Sequence, residues 1–279
     1  MKKKLLTMLA VLGSCTLCAC GTGTDTPAAD SNSGTAAESD YDYITGNGKM
    51  VIGITIYEPM NYYDDKGELT GFDTEFASDL CSRLGVTPEF QIIDWDMKET
   101  ELKSKNIDCI WNGLTVTEER RANMDFTDTY LLNKQCVVIN SANADTYTDK
   151  ASLSSAILSA ESGSAGESAI VDDDTLKSAS YTASNSQQDA LVALNAGNYD
   201  AIVIDYTMAK ASVGSGDFSS LMIVDGIELA NEEYAIGFRV GSDMTGKANT
   251  IISEMINDGS LAALADKYDM KELYEQAIK

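Results

Sequence analysis

The chain has 279 residues, of which 44 are acidic, 20 are basic and none is histidine, so its formal net charge at pH 7 is −24. A chain without histidine lacks the commonest general base and the commonest metal ligand, and a strongly acidic chain lacks the basic face that nucleic-acid binding needs. We therefore expect no nucleic-acid partner and no metal site, and we assign no cofactor and no catalytic residue. The length accommodates two domains.

The chain begins with the pattern of an export signal. Three lysines follow Met1, and the apolar stretch over residues 5–13 is too short to span a bilayer. The sequence LCACG at 17–21 resembles a bacterial lipobox, in which the cysteine after the cleavage site is diacylated and begins the mature protein. We predict a signal peptide over 1–19 and an exported protein, anchored to the outer face of the cell membrane by a lipid on Cys20.

Two alternatives to lipidation at Cys20 stay open at this point. The sequence LGSC at 12–15 is a competing match that would place the lipid on Cys15, and an ordinary signal would be cleaved with no lipid added. We prefer Cys20 because the polar run GTGTDT begins immediately after it. Residues 20–44 contain almost no large apolar side chain, so they cannot bury enough surface to fold. We predict that they form a disordered tether.

Beyond the tether, strand-like and helix-like patterns alternate, as is typical of a mostly parallel α/β sheet. The first series has predicted strands at 49–55, 89–93, 108–111 and 134–140, and predicted helices at 73–84 and 95–103. The second series has predicted strands at 156–158, 201–205, 221–224 and 231–239, a helix near 187–196 and a closing helix over 247–267.

Three cysteines lie beyond the tether, and each is embedded in an apolar pattern. They are Cys81, Cys109 and Cys136. No two of them have the spacing of a metal clip or a redox motif, and an odd number cannot all pair. We predict that they are small buried hydrophobic residues, with one disulfide among them left open for an exported protein.

Two apolar runs that are distant in the chain each lead into polar residues. The run at 108–111 precedes hydroxyl groups, a glycine and Arg120, and the run at 199–204 precedes Asp205. Because open α/β sheets hold their ligands at the carboxyl ends of strands, a cation and an anion would face one site, which suits a zwitterion. The segments 102–108 and 194–200 also share the same spacing of Leu, Asn and Asp, which favours two similar lobes with the ligand between them.

The local sequence around Arg120 gives a physical reason to expect a binding role. Thr117 is a good helix N-cap, and Glu118 and Glu119 suit the positive end of the helix that follows. Arg120 would lie in the first turn, where a cation is disfavoured by about 0.3–1 kcal/mol, and such local conflicts are expected at functional sites. The alternative for Arg120 is an exposed ion pair with Glu118 or Glu119, and the alternative for Asp205 is a helix N-cap.

Several ordered blocks between residues 49 and 273 resemble family 3 of the bacterial solute-binding proteins, the extracytoplasmic receptors of polar amino-acid ABC importers. The blocks are GFDTEFASDLCSRL at 71–84, NGLTVTEER at 112–120, DFTD at 125–128, and DGSL and LADKY within 258–268. The resemblance implies a two-lobed, type II periplasmic-binding-protein-like α/β fold, with two mixed, mostly parallel sheets joined by two crossover strands. It implies a first lobe of 45–131 plus 232–279, a second lobe of 132–231, and hinges near Tyr130 and Tyr234.

The resemblance also implies ligand-binding roles for particular residues. Arg120 resembles the arginine that holds the ligand α-carboxylate in a two-pronged contact, which guanidinium geometry allows. Asp205 resembles the aspartate that accepts from the α-ammonium group. Asn112 and Gly113 are expected to offer acceptors to the ammonium, and Thr115 is expected to offer its hydroxyl and amide to the carboxylate.

The resemblance implies further contacts around the ligand side chain. Tyr57 and Trp95 occupy positions of pocket-wall aromatic rings, with burial in the first-lobe core as the alternative, although the loop at 54–59 is one residue shorter than in amino-acid binders of this family. Trp111 is expected in the core. Gly163 and Ser164 match a glycine-hydroxyl loop before a helix, whose free amides favour an anion, so both are expected to help hold the carboxylate.

The function implied by the resemblance is that of a monomeric receptor without chemistry. It would capture an L-amino acid by lobe closure and deliver it to the permease subunits of an ABC importer. An enzyme on the same scaffold, such as a dehydratase of cyclohexadienyl acids, is the competing class, and Glu58 is the one carboxylate that we can name as its acid. A sensory module is disfavoured, because no membrane span or signalling domain precedes Lys279. We expect a ligand with a polar uncharged or partly apolar side chain.

Overall fold

The computed structural model describes residues 39–227 and 229–279. The predicted signal peptide, the lipidation at Cys20 or Cys15, and the tether up to residue 38 lie outside these residues. Among the helices of the described part, none combines the length and the apolar character that a bilayer crossing requires.

The described residues form thirteen strands and eleven α-helices, which alternate along the chain. The strands are β1 (Lys49–Ile54), β2 (Tyr62–Tyr63), β3 (Leu69–Thr70), β4 (Thr87–Ile92), β5 (Cys109–Ile110), β6 (Met124–Phe126), β7 (Leu131–Asn140), β8 (Ile157–Glu161), β9 (Ser180–Ser184), β10 (Ala201–Asp205), β11 (Leu221–Ile223), β12 (Asn231–Tyr234) and β13 (Gly237–Arg239). The helices are α1 (Asp40–Asn47), α2 (Phe72–Leu84), α3 (Lys98–Lys103), α4 (Glu118–Arg121), α5 (Lys150–Leu153), α6 (Ala165–Val171), α7 (Gln187–Asn195), α8 (Tyr206–Ser212), α9 (Met244–Asp258), α10 (Ser260–Lys267) and α11 (Lys271–Ala277).

Two mixed sheets carry the fold, one in each lobe. The first has the strand order β4-β1-β5-β13-β6, and the second has the order β11-β7-β10-β8-β9, with β12 paired to β7. In the first sheet β1 is parallel to β4 and β5, whereas β13 is antiparallel to β5 and β6. In the second sheet β8 is parallel to β9 and β10, whereas β7 is antiparallel to β10, β11 and β12. One strand in the described part of each sheet thus runs against the others, which confirms the predicted mixed, mostly parallel architecture.

Two neighbouring chain segments connect the sheets. The strand β7 enters the second sheet, and β12 leads back through two residues into β13 of the first sheet. The two segments pair with each other, Leu131 lying opposite Tyr234, and the Tyr130 N–H donates to the Tyr234 carbonyl at 3.0 Å. These are the two predicted crossover strands, and the lobe boundaries proposed at 131–132 and 231–232 fall at their pairing.

The helix α2 shows how local sequence produces the first-lobe core. Gly71 precedes it with a φ of 123°, and a Cβ at this position would lie 2.2 Å from a backbone carbonyl oxygen, so only glycine fits. Phe72, Phe76 and Leu80 recur at four-residue intervals on one face and are fully buried. Gly85 ends the helix in the left-handed conformation, with a φ of 80°.

The residues predicted for the core are buried. Trp111 is fully buried, and its ring meets that of Phe76 edge-on with centroids 4.8 Å apart. Cys81, Cys109 and Cys136 are buried free thiols, and burial raises the pKa of Cys81 to about 12. The prediction of small buried hydrophobic residues is confirmed, and no disulfide joins these three cysteines.

The repeated spacing in the sequence corresponds to the same turn in both lobes. The Asp108 N–H donates to the Val51 carbonyl at 2.7 Å, and its carboxylate accepts from the Val51 N–H at 2.8 Å. Asp200 makes the same two bonds with Ile157, at 2.9 and 2.8 Å. Each aspartate therefore joins the start of one strand, β5 or β10, to its parallel neighbour.

Ordered structure begins earlier than the predicted end of the tether. The helix α1 starts at Asp40, whereas the sequence predicted disorder through residue 44. Two contacts account for the difference: Ile44 is fully buried, and the Asp40 carboxylate pairs with Arg239 at 3.0 Å. The sequence did not predict this helix, because the segment has one large buried aliphatic residue and its ion pair is made with a distant residue.

Two predicted helices are also divided. The closing helix over 247–267 is split into α9 and α10 at Gly259, whose φ of 80° interrupts helical geometry. The helix predicted at 95–103 begins as a 3₁₀ turn, Trp95–Met97, and becomes α-helical at Lys98.

Candidate ligand site between the two lobes

A small cavity lies where the carboxyl ends of strands from the two sheets face each other. Eight of the nine predicted ligand-binding residues line it, and the ninth, Gly163, is adjacent to a lining residue; the lining consists of Tyr57, Trp95, Asn112, Gly113, Thr115, Arg120, Glu161, Ser164, Ala165, Gln187 and Asp205. Its free volume is about 10 Å³, which accommodates about one water molecule. An amino acid would therefore enter only if the lobes separate or their side chains move.

Arg120 is buried in this cavity, and no residue of the described ranges forms an ion pair with it. Thr117 caps the helix α4, as predicted, its side-chain oxygen accepting from the Arg120 N–H at 3.1 Å. Arg120 is only 7% exposed, and its guanidinium donates to the carbonyl oxygens of Thr115 at 2.8 Å and Gly163 at 3.0 Å. Among the described residues, no carboxylate lies within 4.0 Å of the guanidinium, and Glu118 pairs with Arg121 instead, at 3.9 Å. The alternative of an exposed, paired arginine is therefore wrong.

A second buried cation, which the sequence reasoning did not select, lies beside Arg120. Lys98 is 5% exposed, and its Nζ donates to the carbonyl oxygens of Trp95 at 3.2 Å and Gly163 at 2.9 Å. The same atom lies 5.1 Å from the centre of the Trp95 ring. Burial lowers the pKa of Lys98 to about 8, and the Arg120 charge adds to the effect. Both cations of the first lobe thus point to one carbonyl of the second.

Asp205 lies at the end of β10, where donors surround its carboxylate. The Asn133 amide and the Tyr234 hydroxyl each donate to Oδ1 at 2.6 Å, the Gln135 amide donates to it at 3.0 Å, and the Gln187 amide donates to Oδ2. Asp205 precedes the helix α8 but makes no side-chain capping bond to it, so the predicted alternative of an N-cap contact does not occur. Burial raises the pKa of Asp205, whereas these donors oppose the shift.

A second buried carboxylate, Glu232, shares donors with Asp205. The Asn133 amide donates to Glu232 Oε2 at 2.9 Å, the Gln135 amide donates to it at 3.0 Å, and the Thr115 hydroxyl donates to it at 3.1 Å. Burial raises the pKa of Glu232 to about 8, and the Asp205 charge adds to the effect. Two like charges so close are unfavourable, so ionisation of Asp205 disfavours ionisation of Glu232.

The Asn112 side chain is committed to the first lobe. Its amide donates to the Thr55 carbonyl at 2.9 Å and to Asn61 Oδ1 at 2.7 Å, and its Oδ1 accepts from both the N–H and the hydroxyl of Thr55. The side-chain acceptor role expected for Asn112 is therefore not open, because that oxygen already has two donors.

Gly113 brings the backbone close to the aromatic wall. Its N–H donates to the buried Asp73 carboxylate at 2.7 Å, and its φ is 57°. A Cβ at this position would lie 2.7 Å from the Tyr57 ring and 3.0 Å from the Tyr234 ring. The expected hydroxyl of Thr115 is likewise engaged, since it donates to Glu232.

The two predicted aromatic residues line the cavity and also belong to hydrophobic cores. The Tyr57 hydroxyl bonds to the Tyr234 hydroxyl at 2.8 Å and to the Thr207 hydroxyl on α8. The Trp95 ring lies 5.1 Å from the Lys98 ammonium. Pocket wall and core are therefore not exclusive for these two residues: each ring packs in a hydrophobic core and also lines the cavity.

The loop before α6 offers an anion fewer donors than expected. The Gly163 N–H donates to the Glu167 carboxylate at 2.7 Å, and the Ser164 N–H donates to the Glu161 carbonyl at 3.1 Å. The Ser164 side chain caps α6 by accepting from the Glu167 N–H at 3.1 Å. The amides of Gly163 and Ser164 are thus used within the loop, and it is the Gly163 carbonyl that faces the first-lobe cations.

Glu161 is the most unusual cavity residue that the sequence reasoning missed. It ends β8, is 3% exposed, and its Oε1 has no hydrogen-bond partner in the described part of the chain. Burial raises its pKa to about 8; the Asp205 charge adds to this effect, and Lys98 and Arg120 oppose it. A carboxylate at the end of an apolar strand was a usable signal, the same one that identified Asp205. Gln187, at the start of α7, had no such signal.

Glu58, the acid named for the competing enzyme class, is exposed and does not line the cavity. Partial desolvation raises its pKa.

Known proteins resemble this chain over most of its length. The L-cystine-binding protein TcyJ of Escherichia coli (strain K12) is 28% identical over 234 residues, which are 79% of this chain and 82% of that protein. The arginine-binding extracellular protein ArtP of Bacillus subtilis (strain 168) is 27% identical over 225 residues, which are 80% of this chain and 87% of that protein. A solved amino acid ABC transporter substrate-binding protein from Streptococcus pneumoniae, bound to L-arginine, has a TM-score of 0.75 at 25% identity and covers 83% of this chain and 98% of its own.

The family comparison covers both lobes. The model of bacterial extracellular solute-binding proteins, family 3, matches residues 50–271, which include every strand from β2 to β13 and all the residues that line the cavity. By its sequence and its two-sheet fold, the chain belongs to the bacterial extracellular solute-binding proteins of family 3.

Proposed function

We propose that this protein captures an L-α-amino acid between its lobes and delivers it to the membrane subunits of an ABC importer. One observation carries the proposal: the Arg120 guanidinium is buried without a carboxylate within 4.0 Å among the described residues, and the buried Asp205 carboxylate lines the same cavity from the other lobe. A buried charge without a partner is costly. A zwitterion would supply an anion to the first group and a cation to the second.

The ligand carboxylate would bind Arg120, and its ammonium would bind Asp205. Guanidinium–carboxylate contacts are charge-assisted and two-pronged, and hydrogen bonds to charged groups are each worth about 1.5–3 kcal/mol. The backbone at Gly113 and Thr115 would complete the site, because the Asn112 and Thr115 side chains are already bonded within the protein. Tyr57 and Trp95 would form its walls.

Ligand binding would close the two lobes on each other. Arg120 belongs to the proposed first lobe, 45–131 plus 232–279, and Asp205 belongs to the proposed second lobe, 132–231, so neither lobe alone satisfies both ends of the ligand. The cavity of about 10 Å³ requires opening before an amino acid enters. The paired segments around Tyr130 and Tyr234 are where the chain would bend.

The receptor would act outside the cytoplasm, tethered by a lipid on Cys20. The family to which the chain belongs consists of extracellular solute-binding proteins, and the names of its relatives, as cystine-binding and arginine-binding proteins, support an amino-acid ligand. We propose that the protein acts as a monomer. We propose binding without catalysis, because Glu58, the acid named for the competing enzyme class, lies outside the cavity.

Isothermal titration calorimetry of the purified protein with the common amino acids tests this function. At least one α-amino acid should bind, and Arg120→Ala should weaken that binding by about 2–5 kcal/mol, or about thirtyfold or more. Arg121→Ala is the matched control, because Arg121 is on the same helix but is exposed and pairs only distantly with Glu118, at 3.9 Å. It should bind as the wild type does. Equal binding by Arg120→Ala, in a protein that unfolds at the wild-type temperature, would refute the site.

A further inference from the structure

Two buried ionisable groups near the cavity have no side-chain hydrogen-bond partner among the described residues once the ligand carboxylate and ammonium are assigned. Lys98 lies on the first lobe and Glu161 lines the cavity from the second. Neither contacts the groups proposed for the ligand backbone through a salt bridge, and Lys98 bonds only to the carbonyl oxygens of Trp95 and Gly163 among the described residues. Both groups are therefore available to the ligand side chain.

These two groups do not satisfy each other. No ion pair within 4.0 Å joins Lys98 to Glu161, and Glu161 Oε1 is buried without a hydrogen-bond partner in the described chain. Lys98 has three N–H donors, of which two are engaged by carbonyl oxygens. Glu161 thus lines the cavity from the second lobe. Lys98 does not line it but lies next to it, bonded to the Gly163 carbonyl between two lining residues, and is more than 4.0 Å from Glu161.

Resting on the proposed function, we infer that the ligand is an α-amino acid whose side chain ends in a carboxamide, asparagine or glutamine. The carboxamide oxygen accepts from the third N–H of Lys98, and the carboxamide nitrogen donates to Glu161. One planar group then bridges the lobes through both of its ends, so the side chain contributes to closure as the ligand backbone does.

Other side-chain classes leave one of these groups unsatisfied. A cationic side chain would lie beside Lys98 and Arg120, and a carboxylate would accept from Lys98 but has no N–H to donate to Glu161. An apolar side chain would leave Glu161 Oε1 and the third N–H of Lys98 unsatisfied, which weakens binding. Sites built to hydrogen-bond a substrate group reject analogues that lack it far more strongly than apolar pockets do.

The assignment requires the protonated form of Lys98. Burial places the pKa of Lys98 and that of Glu161 each at about 8, so at pH 7 most Lys98 is protonated and has a third N–H to donate. Glu161 offers a carbonyl-type acceptor in both of its forms. A neutral ligand side chain also leaves the other buried charges balanced, with Arg120 facing the carboxylate and Asp205 facing the ammonium.

The test is the ranking of ligands by the purified full chain in calorimetry at pH 7. Glutamine or asparagine should bind at least tenfold more tightly than glutamate, aspartate, arginine, lysine, histidine, cystine or leucine. Glu161→Gln and Lys98→Met should each weaken binding of the carboxamide ligand at least tenfold. Each should also reduce the ratio of the affinity for glutamine to that for glutamate, or for asparagine to that for aspartate. Glu99→Gln is the control, because Glu99 lies next to Lys98 in sequence but does not line the cavity; its affinity should stay within threefold of wild type.

Two results would overturn this inference. One is tighter binding of any of the competing amino acids than of both carboxamides by the wild type, which requires no variant to fold. The other is unchanged carboxamide affinity in both Glu161→Gln and Lys98→Met. Either result leaves the proposed receptor function standing, whereas the absence of binding by every α-amino acid, or wild-type binding by Arg120→Ala, refutes that function itself.

Discussion

The two lobes share a scaffold but bring opposite charges to the cleft. In each, an aspartate accepts the N–H of the neighbouring parallel strand at 2.8 Å, Asp108 in the first lobe and Asp200 in the second. Beyond this shared turn the lobes diverge. The first presents the cations Arg120 and Lys98, whereas the second presents the acids Asp205 and Glu161.

The two charged sides also differ in how they are supported. Arg120 and Lys98 are held by backbone carbonyl oxygens, which carry only partial charge. Asp205 is held by four side-chain donors, which fix its carboxylate before any ligand arrives. The cationic side therefore lacks an anion, while the acidic side is preorganised for a cation. Binding by such a pair depends on both lobes, and each can be weakened separately.

The largest effect in the second lobe is expected from Asp205→Asn. Loss of a buried charge partner costs about 2–5 kcal/mol, so ligand affinity should fall by about thirtyfold or more. The substitution also turns an amide donor towards groups that already donate to Asp205. Calorimetry with the ligand of the wild type measures the change, and Glu233→Gln, on the exposed side of β12, is the control.

Glu232→Gln sharpens the same comparison, because Glu232 shares the Asn133 and Gln135 amides with Asp205. With its pKa raised by burial to about 8, Glu232 is mostly neutral at pH 7, and a neutral amide should change affinity by less than about threefold, which is below 1 kcal/mol. If Glu232→Gln instead abolished binding and Asp205→Asn did not, the charge would reside on Glu232.

The acidic groups should also make the ligand-free protein less stable as the pH rises. Burial raises the pKa of Asp73 to about 7 and those of Glu161 and Glu232 to about 8. The folded state therefore binds more protons than the unfolded state between these values and the ordinary carboxyl pKa of about 4. The stability that these groups contribute is complete below pH 4 and is lost as the pH rises through 7 to 8.

Urea unfolding at pH 5 and pH 8 measures this dependence. The free energy of unfolding should be lower at pH 8 by at least about 1.4 kcal/mol, the equivalent of one pKa unit. Asp173 and Asp258, whose pKa values hydrogen bonds lower to about 2, act only at more acidic pH. The double variant Glu161→Gln with Glu232→Gln should flatten the dependence. Equal stability of the wild type at both pH values would contradict the raised pKa values.

The features that the sequence predicted are those that local patterns encode. The predicted Thr117 cap is present and Arg120 is buried, but α4 has only four residues, so Arg120 lies in its last turn as well as its first and the expected conflict with the helix dipole does not occur. Asp205 was selected because it ends an apolar strand, which is also a local pattern. The equal spacing that ends at Asp108 and Asp200 anticipated equivalent turns, because a helix end, a turn and a strand start must keep a fixed length.

The features that the sequence did not predict depend on contacts between distant segments. No local pattern distinguishes Lys98 at the start of α3, and its burial depends on the approach of the Gly163 carbonyl, at 2.9 Å. Asn112 looked like a ligand contact, but Asn61 and Thr55 occupy its side chain. Periodicity cannot reveal such partners, since they lie tens of residues away.

The smallest effects on binding are expected at the shared turns. Asp108→Ala and Asp200→Ala test whether the same carboxylate hydrogen bond contributes the same unfolding free energy in both lobes. Asp108 is 3% exposed and its other oxygen lies 3.5 Å from Arg239, so Asp108→Ala removes the acceptor of the part-buried Val51 N–H and an ion-pair partner, at a cost of about 1–3 kcal/mol in unfolding free energy. Ile157 is 44% exposed, so water can replace Asp200, and the cost should stay below about 1 kcal/mol. Neither residue lines the cavity, so ligand affinity should remain within threefold in both. Equal losses of stability in urea unfolding would show that the turn itself, and not its burial, sets the energy of this bond.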